Sequence, residues 1–234
     1  MRTVIFLMLL SIAGSLMAAE NRARDVALKW NASDQGFHDS MANLQMILVD
    51  RQGNRAIREM VIRTLESPEL DEGDKSLVIF ESPDDIKGTA LLSHAHILEP
   101  DDQWLYLPAL GRIKRISSAN KSGSFVGSEF AYEDIAGMEV NKYEYAWLRR
   151  EPCDDRECAV LEQTPRYERS GYTRLVAWYD LVDYQLRKID YYDRKNVLLK
   201  TLTFSDYRPH DDRYGLAHAL ALVHPQTVTE TALV

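Results

Sequence analysis

The sequence lacks the motifs that mark common enzyme active sites. It has no Gly-rich phosphate-binding loop, no nucleophile elbow and no zinc-binding helix motif. His94 and His96 share one face of a predicted strand, but two imidazoles do not make a metal site. The serines within residues 117–124 have no base or orienting carboxylate predicted beside them. We therefore expect a protein that is not an enzyme and uses no metal or other cofactor.

Basic residues are also in deficit. The chain has 28 Lys and Arg against 36 Asp and Glu, which gives a formal net charge of −8 at pH 7. A nucleic-acid partner requires a basic surface, so this balance argues against one. The apolar content of 45% is ordinary for a globular protein and argues against disorder.

Long apolar runs are absent except at the N-terminus. Residues 4–17 are apolar apart from two serines and a glycine, Arg2 precedes them, and Ala18 and Ala19 follow. The run is too short to span a bilayer, which takes about 20 apolar residues. The pattern predicts a secretory signal peptide, residues 1–19, cleaved near Ala18 or Ala19. We expect an exported, periplasmic protein whose residues 20–234 form a single domain.

Cysteine occurs only twice, as Cys153 and Cys158 with four residues between them. In an oxidising compartment such a pair predicts a disulfide, here across the tip of a hairpin. A metal site is the weaker alternative, because the acids between the two cysteines are hard oxygen donors that match thiolates poorly.

The remaining pattern is mostly β. Short alternating segments separated by turn signals predict nine to eleven strands, with a two-turn helix ending near Asn31 and a second helix within residues 128–137. We expect a mainly β fold with one curled antiparallel sheet, open or closed. Several strands are apolar on both faces, which favours either an ordinary sandwich core or a hydrophobic cavity inside the curl.

A short basic run stands out in this acidic chain. Arg112 and Lys114 share one face of a predicted strand, and Arg115 lies on the other face. One interpretation is a solvated face with Arg115 paired to a local carboxylate. The other places these cations at the mouth of the cavity, where they would contact a lipid phosphate, a polar head group or a partner protein.

Five segments in order carry a family resemblance: Asp74-Lys-Ser-Leu-Val-Ile-Phe80, Pro83-Asp-Asp-Ile-Lys-Gly-Thr-Ala90, Asp102-Gln-Trp-Leu-Tyr-Leu-Pro108, Arg115-Ile-Ser-Ser118 and Gly123-Ser-Phe-Val-Gly-Ser128. Together they resemble the LolA-like outer membrane lipoprotein-sorting proteins, over residues 24–210. The resemblance implies an incomplete β-barrel of about eleven strands with a helical lid. It also implies a periplasmic carrier or chaperone for lipid or lipoprotein acyl chains, working with a resistance-nodulation-division (RND) exporter or in lipoprotein sorting.

Alternation and motif position together predict which side chains line the cavity. They are Leu44, Met46, Leu48, Met60, Ile62, Ile79, Leu91, Trp104, Tyr106, Trp147 and Trp178. We expect a monomer that contacts membranes only transiently. An envelope-stress sensor or another non-lipid binding module of this fold is the alternative function, and a lipid hydrolase is less favoured. The C-terminus departs from the family pattern and predicts a chain that stops one strand short.

Overall fold

The computed structural model describes residues 21–33, 35–69, 72–210 and 214–234. The predicted signal peptide lies outside this part. A helix, α1, covers residues 21–33, and a second, α2, covers Tyr132–Ile135. The strands within these ranges are β1 Asp39–Val49, β2 Arg55–Leu65, β3 Glu72–Ser82, β4 Ala90–His96, β5 Asp102–Leu107, β6 Arg112–Ile116, β7 Tyr143–Cys153, β8 Arg156–Pro165, β9 Tyr172–Asp180, β10 Leu186–Asp193, β11 Leu198–His210, β12 Tyr214–His224 and β13 Thr229–Leu233. Neither helix is long and apolar enough to cross a bilayer.

All thirteen strands belong to one curled antiparallel sheet that does not close. Its order is β6-β5-β4-β3-β2-β1-β13-β12-β11-β10-β9-β8-β7. The first strand, β1, lies near the middle of the sheet, and the next five strands add outwards to the β6 edge. The chain then crosses to the opposite edge at β7, and the following strands return inwards until β13 pairs with β1. The predicted curled sheet is therefore confirmed, with thirteen strands rather than nine to eleven.

One face of the sheet carries the main core, and we call it the inner face. Met60 of β2 stands opposite Phe80 of β3, and Val78 of β3 stands opposite Leu91 of β4. These four side chains are almost fully buried and belong to one continuous apolar cluster. Because successive side chains of a strand point to opposite faces, every second residue of each strand contributes to this core.

Helix α1 covers the part of the inner face formed by the later strands. Ala23, Val26 and Ala27 are buried, and Trp30 packs against the same cluster. Their spacing places them on one side of a helix. The ring of Trp30 meets Tyr179 of β9 edge to face, with 6.1 Å between ring centroids. The helix is longer than the two turns predicted.

Residues 117–142 connect the two edge strands across the inner face, and we call them the crossing segment. Its Phe125 is fully buried, with a ring centroid 5.7 Å from that of Phe80. Arg58 of β2 donates a hydrogen bond to the carbonyl of Val126 at 2.5 Å. The predicted helix at residues 128–137 is only the four-residue α2. Asp134 caps it by accepting the Ala131 N–H at 2.6 Å.

The C-terminus pairs fully, so the expectation of a missing strand is wrong. β12 pairs with β11 and β13, and β13 also pairs with β1. Pro225 occupies the turn between β12 and β13, where its missing N–H costs no ladder hydrogen bond. At the β7–β8 tip, Cys153 and Cys158 are joined by a disulfide with Cα atoms 5.8 Å apart, as the sequence predicts.

Candidate functional site

A narrow apolar cavity lies on the inner face between α1, the crossing segment and strands β10 to β12. Its volume is about 300 Å³. Phe204 of β11 and Leu220 of β12 stand opposite each other in register and form part of its floor. The other apolar side chains around it are Trp30, Phe130, Met138, Leu186, Ile189, Tyr191, Leu202 and Leu216. Met138 adds an adaptable side chain, which suits a site for flexible apolar ligands.

A wider cavity of about 830 Å³ adjoins the narrow one. Trp30, Met138 and Leu216 line both cavities, so the two lie next to each other, and together we call them the groove. The wide cavity reaches the first residues of β1 and the stretch 35–38 before it. Each of the two volumes falls within the range of small-molecule ligand sites.

The two cavities differ in polarity. The wide cavity is lined by the carboxyl groups of Asp74 and Glu139 among other polar groups. Burial raises the pKa of Glu139, and burial followed by the nearby Glu66 carboxylate raises the pKa of Asp74. The Asp74 N–H donates to Glu139 Oε1 at 3.0 Å. The wide cavity is therefore more polar than the narrow one, with polar and apolar groups mixed along its lining.

One ion pair sits at the wall of the narrow cavity. Asp134, which lines it, accepts from Lys200 Nζ at 2.5 Å and from the Tyr172 hydroxyl at 2.7 Å. Lys200 also donates to the Glu129 carbonyl at 2.9 Å. These bonds attach the crossing segment to β11, so they hold one wall of the cavity against the sheet.

Seven of the eleven predicted cavity residues belong to the inner-face cluster. They are Leu44, Met46, Leu48, Met60, Ile62, Leu91 and Trp147. The crossing segment and neighbouring side chains pack against this cluster, and none of the seven lines the narrow or the wide cavity. The structure therefore brings them together as packing beside the groove.

The other four predicted residues face away from this cluster. Ile79 lies between the buried Val78 and Phe80, so its side chain projects from the outer face. Trp104 and Tyr106 flank the buried Leu105 in the same way. Trp178 belongs to a separate outer-face cluster with Cys158, Val160 and Val176. These four side chains therefore lie on the outer face and not in the predicted cavity. In strands that are apolar on both faces, the sequence does not show which residues point inwards.

The three predicted cations lie on the edge strand β6, and none of them lines the two cavities. Register places Arg112 opposite Leu107 and Lys114 opposite Leu105, on the inner-facing side. Arg115 lies on the other side, where it forms an ion pair with Asp102. His94 and His96 are also on the outer face, with ring centroids 4.4 Å apart. Among the described residues, no group of three or more His, Cys, Asp or Glu side chains could hold a metal ion.

The groove itself depends on residues that the sequence interpretation did not select. Leu202 and Phe204 alternate along β11, and Leu216 and Leu220 do so along β12. This alternation in the sequence could have indicated that these leucines and Phe204 share one face of the sheet. Trp30 and Met138, by contrast, reach the groove only because α1 and the crossing segment fold over the sheet.

An open curled sheet with a helix and a crossing segment over an apolar groove is a LolA-like fold. A family model described as "Uncharacterized protein" matches residues 72–234. A domain from Vibrio parahaemolyticus, described as an outer membrane lipoprotein-sorting protein, is 46% identical with a TM-score of 0.88, covering 92% of this chain and 90% of that one. The chain belongs to this outer membrane lipoprotein-sorting family.

Two further solved structures share the fold. A DUF1329 family protein from Desulfovibrio piger is 28% identical with a TM-score of 0.86, covering 92% of this chain and 90% of that one. A LolA superfamily protein from Nitrosomonas europaea is 19% identical with a TM-score of 0.72, covering 90% of each chain. No curated protein matches the sequence.

Proposed function

We propose that this protein is a periplasmic carrier that binds the acyl chains of a lipid or lipoprotein in the groove and performs no chemistry on them. The observation behind this proposal is that Trp30, Met138 and Leu216 line both the narrow and the wide cavity. The acyl chain would occupy the narrow cavity, and the polar group of the ligand would lie in the wide cavity. In this proposal residues 20–234 act as one domain and one monomer.

The energetics suit a carrier. Each CH₂ group removed from water contributes about 0.8 kcal/mol, so a few buried methylenes already give useful affinity. Ordering the chain and displacing the crossing segment offset part of this gain. The buried Lys200–Asp134 pair resists that displacement, which would make release a separate step from binding.

The partner proposal is coarser. By resemblance, the ligand would be received from or passed to an inner-membrane RND-type exporter, or moved in outer membrane lipoprotein sorting. The predicted signal peptide and the Cys153–Cys158 disulfide support an oxidising, periplasmic location. Sequencing the N-terminus of protein recovered from the periplasm tests the location, since it should begin at Ala19 or Glu20.

The ligand proposal is tested by mass spectrometry of organic extracts. Protein purified from the periplasm of its host should carry acyl-chain lipids or lipoprotein at a substantial fraction of one per chain. A Leu220→Glu variant, purified in parallel, should carry far less, because a charge in the narrow cavity opposes burial of an acyl chain. Equal, trace amounts in both preparations would contradict the proposal.

A further inference from the structure

The β5–β6 hairpin at one edge of the sheet exposes apolar side chains to solvent. Leu110, at the turn, is 65% exposed and Ile113 on β6 is 70% exposed. Tyr106 stands opposite Ile113 in register and is 40% exposed. The turn is a short 3-10 segment closed by Gly111 in the left-handed conformation, with φ 57°. Leu110 is thus held on a defined turn, and Tyr106 and Ile113 are held on the two strands beside it.

The apolar surface continues inward from the hairpin over the outer face. Leu92 of β4 stands opposite Trp104 of β5, which stands opposite Arg115 of β6. Leu92 is 45% exposed and Trp104 is half-buried. Aromatic rings with aliphatic neighbours and cations are typical of surfaces that sit at a membrane interface.

The hairpin is basic although the whole chain is acidic. From Asp102 to Ile116 the sequence contains three cations and one acid. Arg115 is paired with Asp102, while Arg112 and Lys114 are exposed and form no ion pair with any described residue. The adjacent turn, residues 83–88, holds two aspartates and one lysine, which still leaves this corner net positive. A negatively charged partner is therefore the complementary one.

We propose that the β5–β6 hairpin, with Tyr106, Leu110, Arg112, Ile113 and Lys114, docks the protein on the surface of an anionic lipid bilayer. The free edge of β6 would approach the bilayer, so that Leu110 and Ile113 enter the interface and Tyr106 lies at head-group level. Arg112 and Lys114, which project from the inner-facing side of the same edge strand, would contact lipid phosphates. Side chains that project from both sides of an edge strand and from its turn suit a soft bilayer, whereas a protein partner would need a shaped pocket for each. This docking does not depend on acyl-chain binding, since no hairpin residue lines the groove.

The test is flotation of the purified protein with vesicles. One set contains phosphatidylglycerol and phosphatidylethanolamine, and the other contains only phosphatidylcholine. The wild-type protein should float with the anionic vesicles and lose binding at high salt. Each basic side chain at an anionic surface contributes about fivefold in affinity. Arg112→Glu with Lys114→Glu should therefore weaken binding by at least about twentyfold, and Ile113→Glu should also weaken it clearly.

Matched controls test whether a loss of vesicle binding is specific to the hairpin or a general effect of net charge or surface hydrophobicity. Arg169→Glu with Lys195→Glu makes the same change in net charge on exposed loops of the other half of the sheet. Val182→Glu replaces a side chain that is 75% exposed in the β9–β10 turn. Both controls should float like the wild type. Leu220→Glu should also float normally, which keeps this test independent of the groove.

Two results would overturn the proposal. One is absence of flotation with the anionic vesicles at low salt, or equal flotation by the hairpin variants and the wild type. The other is a photo-crosslinking amino acid at position 113 that attaches in cells to a protein and not to lipid, which would make the hairpin a protein interface. Circular dichroism should show unchanged folding, because the substituted side chains are exposed.

Discussion

Lys200 of β11 and Asp134 of α2 form an ion pair of 2.5 Å in which both side chains are more than nine-tenths buried. The pair joins the sheet to the crossing segment beside the narrow cavity. A buried pair tolerates the loss of one partner poorly, because the other charge remains desolvated. The pair therefore anchors the crossing segment to the sheet.

Lys200→Met should lower the free energy of unfolding by about 3–5 kcal/mol, since it leaves the Asp134 carboxylate without its cation. Urea denaturation followed by circular dichroism measures the change. The matched control is Arg208→Met, which breaks an exposed pair with Asp206 on the same strand and should cost about 1 kcal/mol or less. Similar losses in the two variants would contradict the anchoring role.

Glu139 gives a pH-dependent prediction. Burial raises its pKa, so the folded protein binds this proton more tightly than the unfolded chain does. The corresponding stability is present below the unfolded pKa and is lost as the pH rises through the folded pKa. From about pH 4.5 upwards towards about pH 7, the wild type should thus lose stability relative to Glu139→Gln. Unfolding free energies of both proteins across this range check it, and a difference that is constant with pH would refute it.

The disulfide should contribute modestly to stability. It closes a loop of only a few residues, for which chain entropy predicts about 2 kcal/mol. Reductant should lower the unfolding midpoint of the wild type but leave that of Cys153→Ala with Cys158→Ala unchanged. Thiol counting under denaturing, non-reducing conditions should find no free thiol. Two free thiols, or a wild-type midpoint insensitive to reductant, would show that the bridge is absent.

The sheet could be predicted from the sequence because alternation and turn signals are local. The disulfide could be predicted from the cysteine spacing and the predicted export. The opposite facing of Arg115 and Lys114 could be predicted because successive side chains of a strand alternate between its faces. The same alternation predicted the wrong face where the neighbouring residues are also apolar, as at Ile79 and Trp104. In such strands only the contacts formed on folding decide which face is inner.

The groove could not be located from the sequence in the same way. Trp30, Met138 and Leu216 meet there although more than 75 residues separate each from the next. Their approach depends on the crossing segment running between the two sheet edges, which no local pattern encodes. The number of C-terminal strands was predicted too low for a related reason, because β13 pairs with β1, which is distant in sequence.

The most direct test of the carrier account is titration of the delipidated protein with a fluorescent long-chain fatty acid. Leu220→Glu places a carboxylate in the narrow cavity, whereas Val223→Glu places one on the same strand where the side chain is 40% exposed outside the cavity. Wild type and Val223→Glu should show saturable binding with similar affinity, and Leu220→Glu should bind at least about tenfold more weakly while remaining folded. No saturable binding by the wild type, or equal binding by all three proteins, would contradict the account.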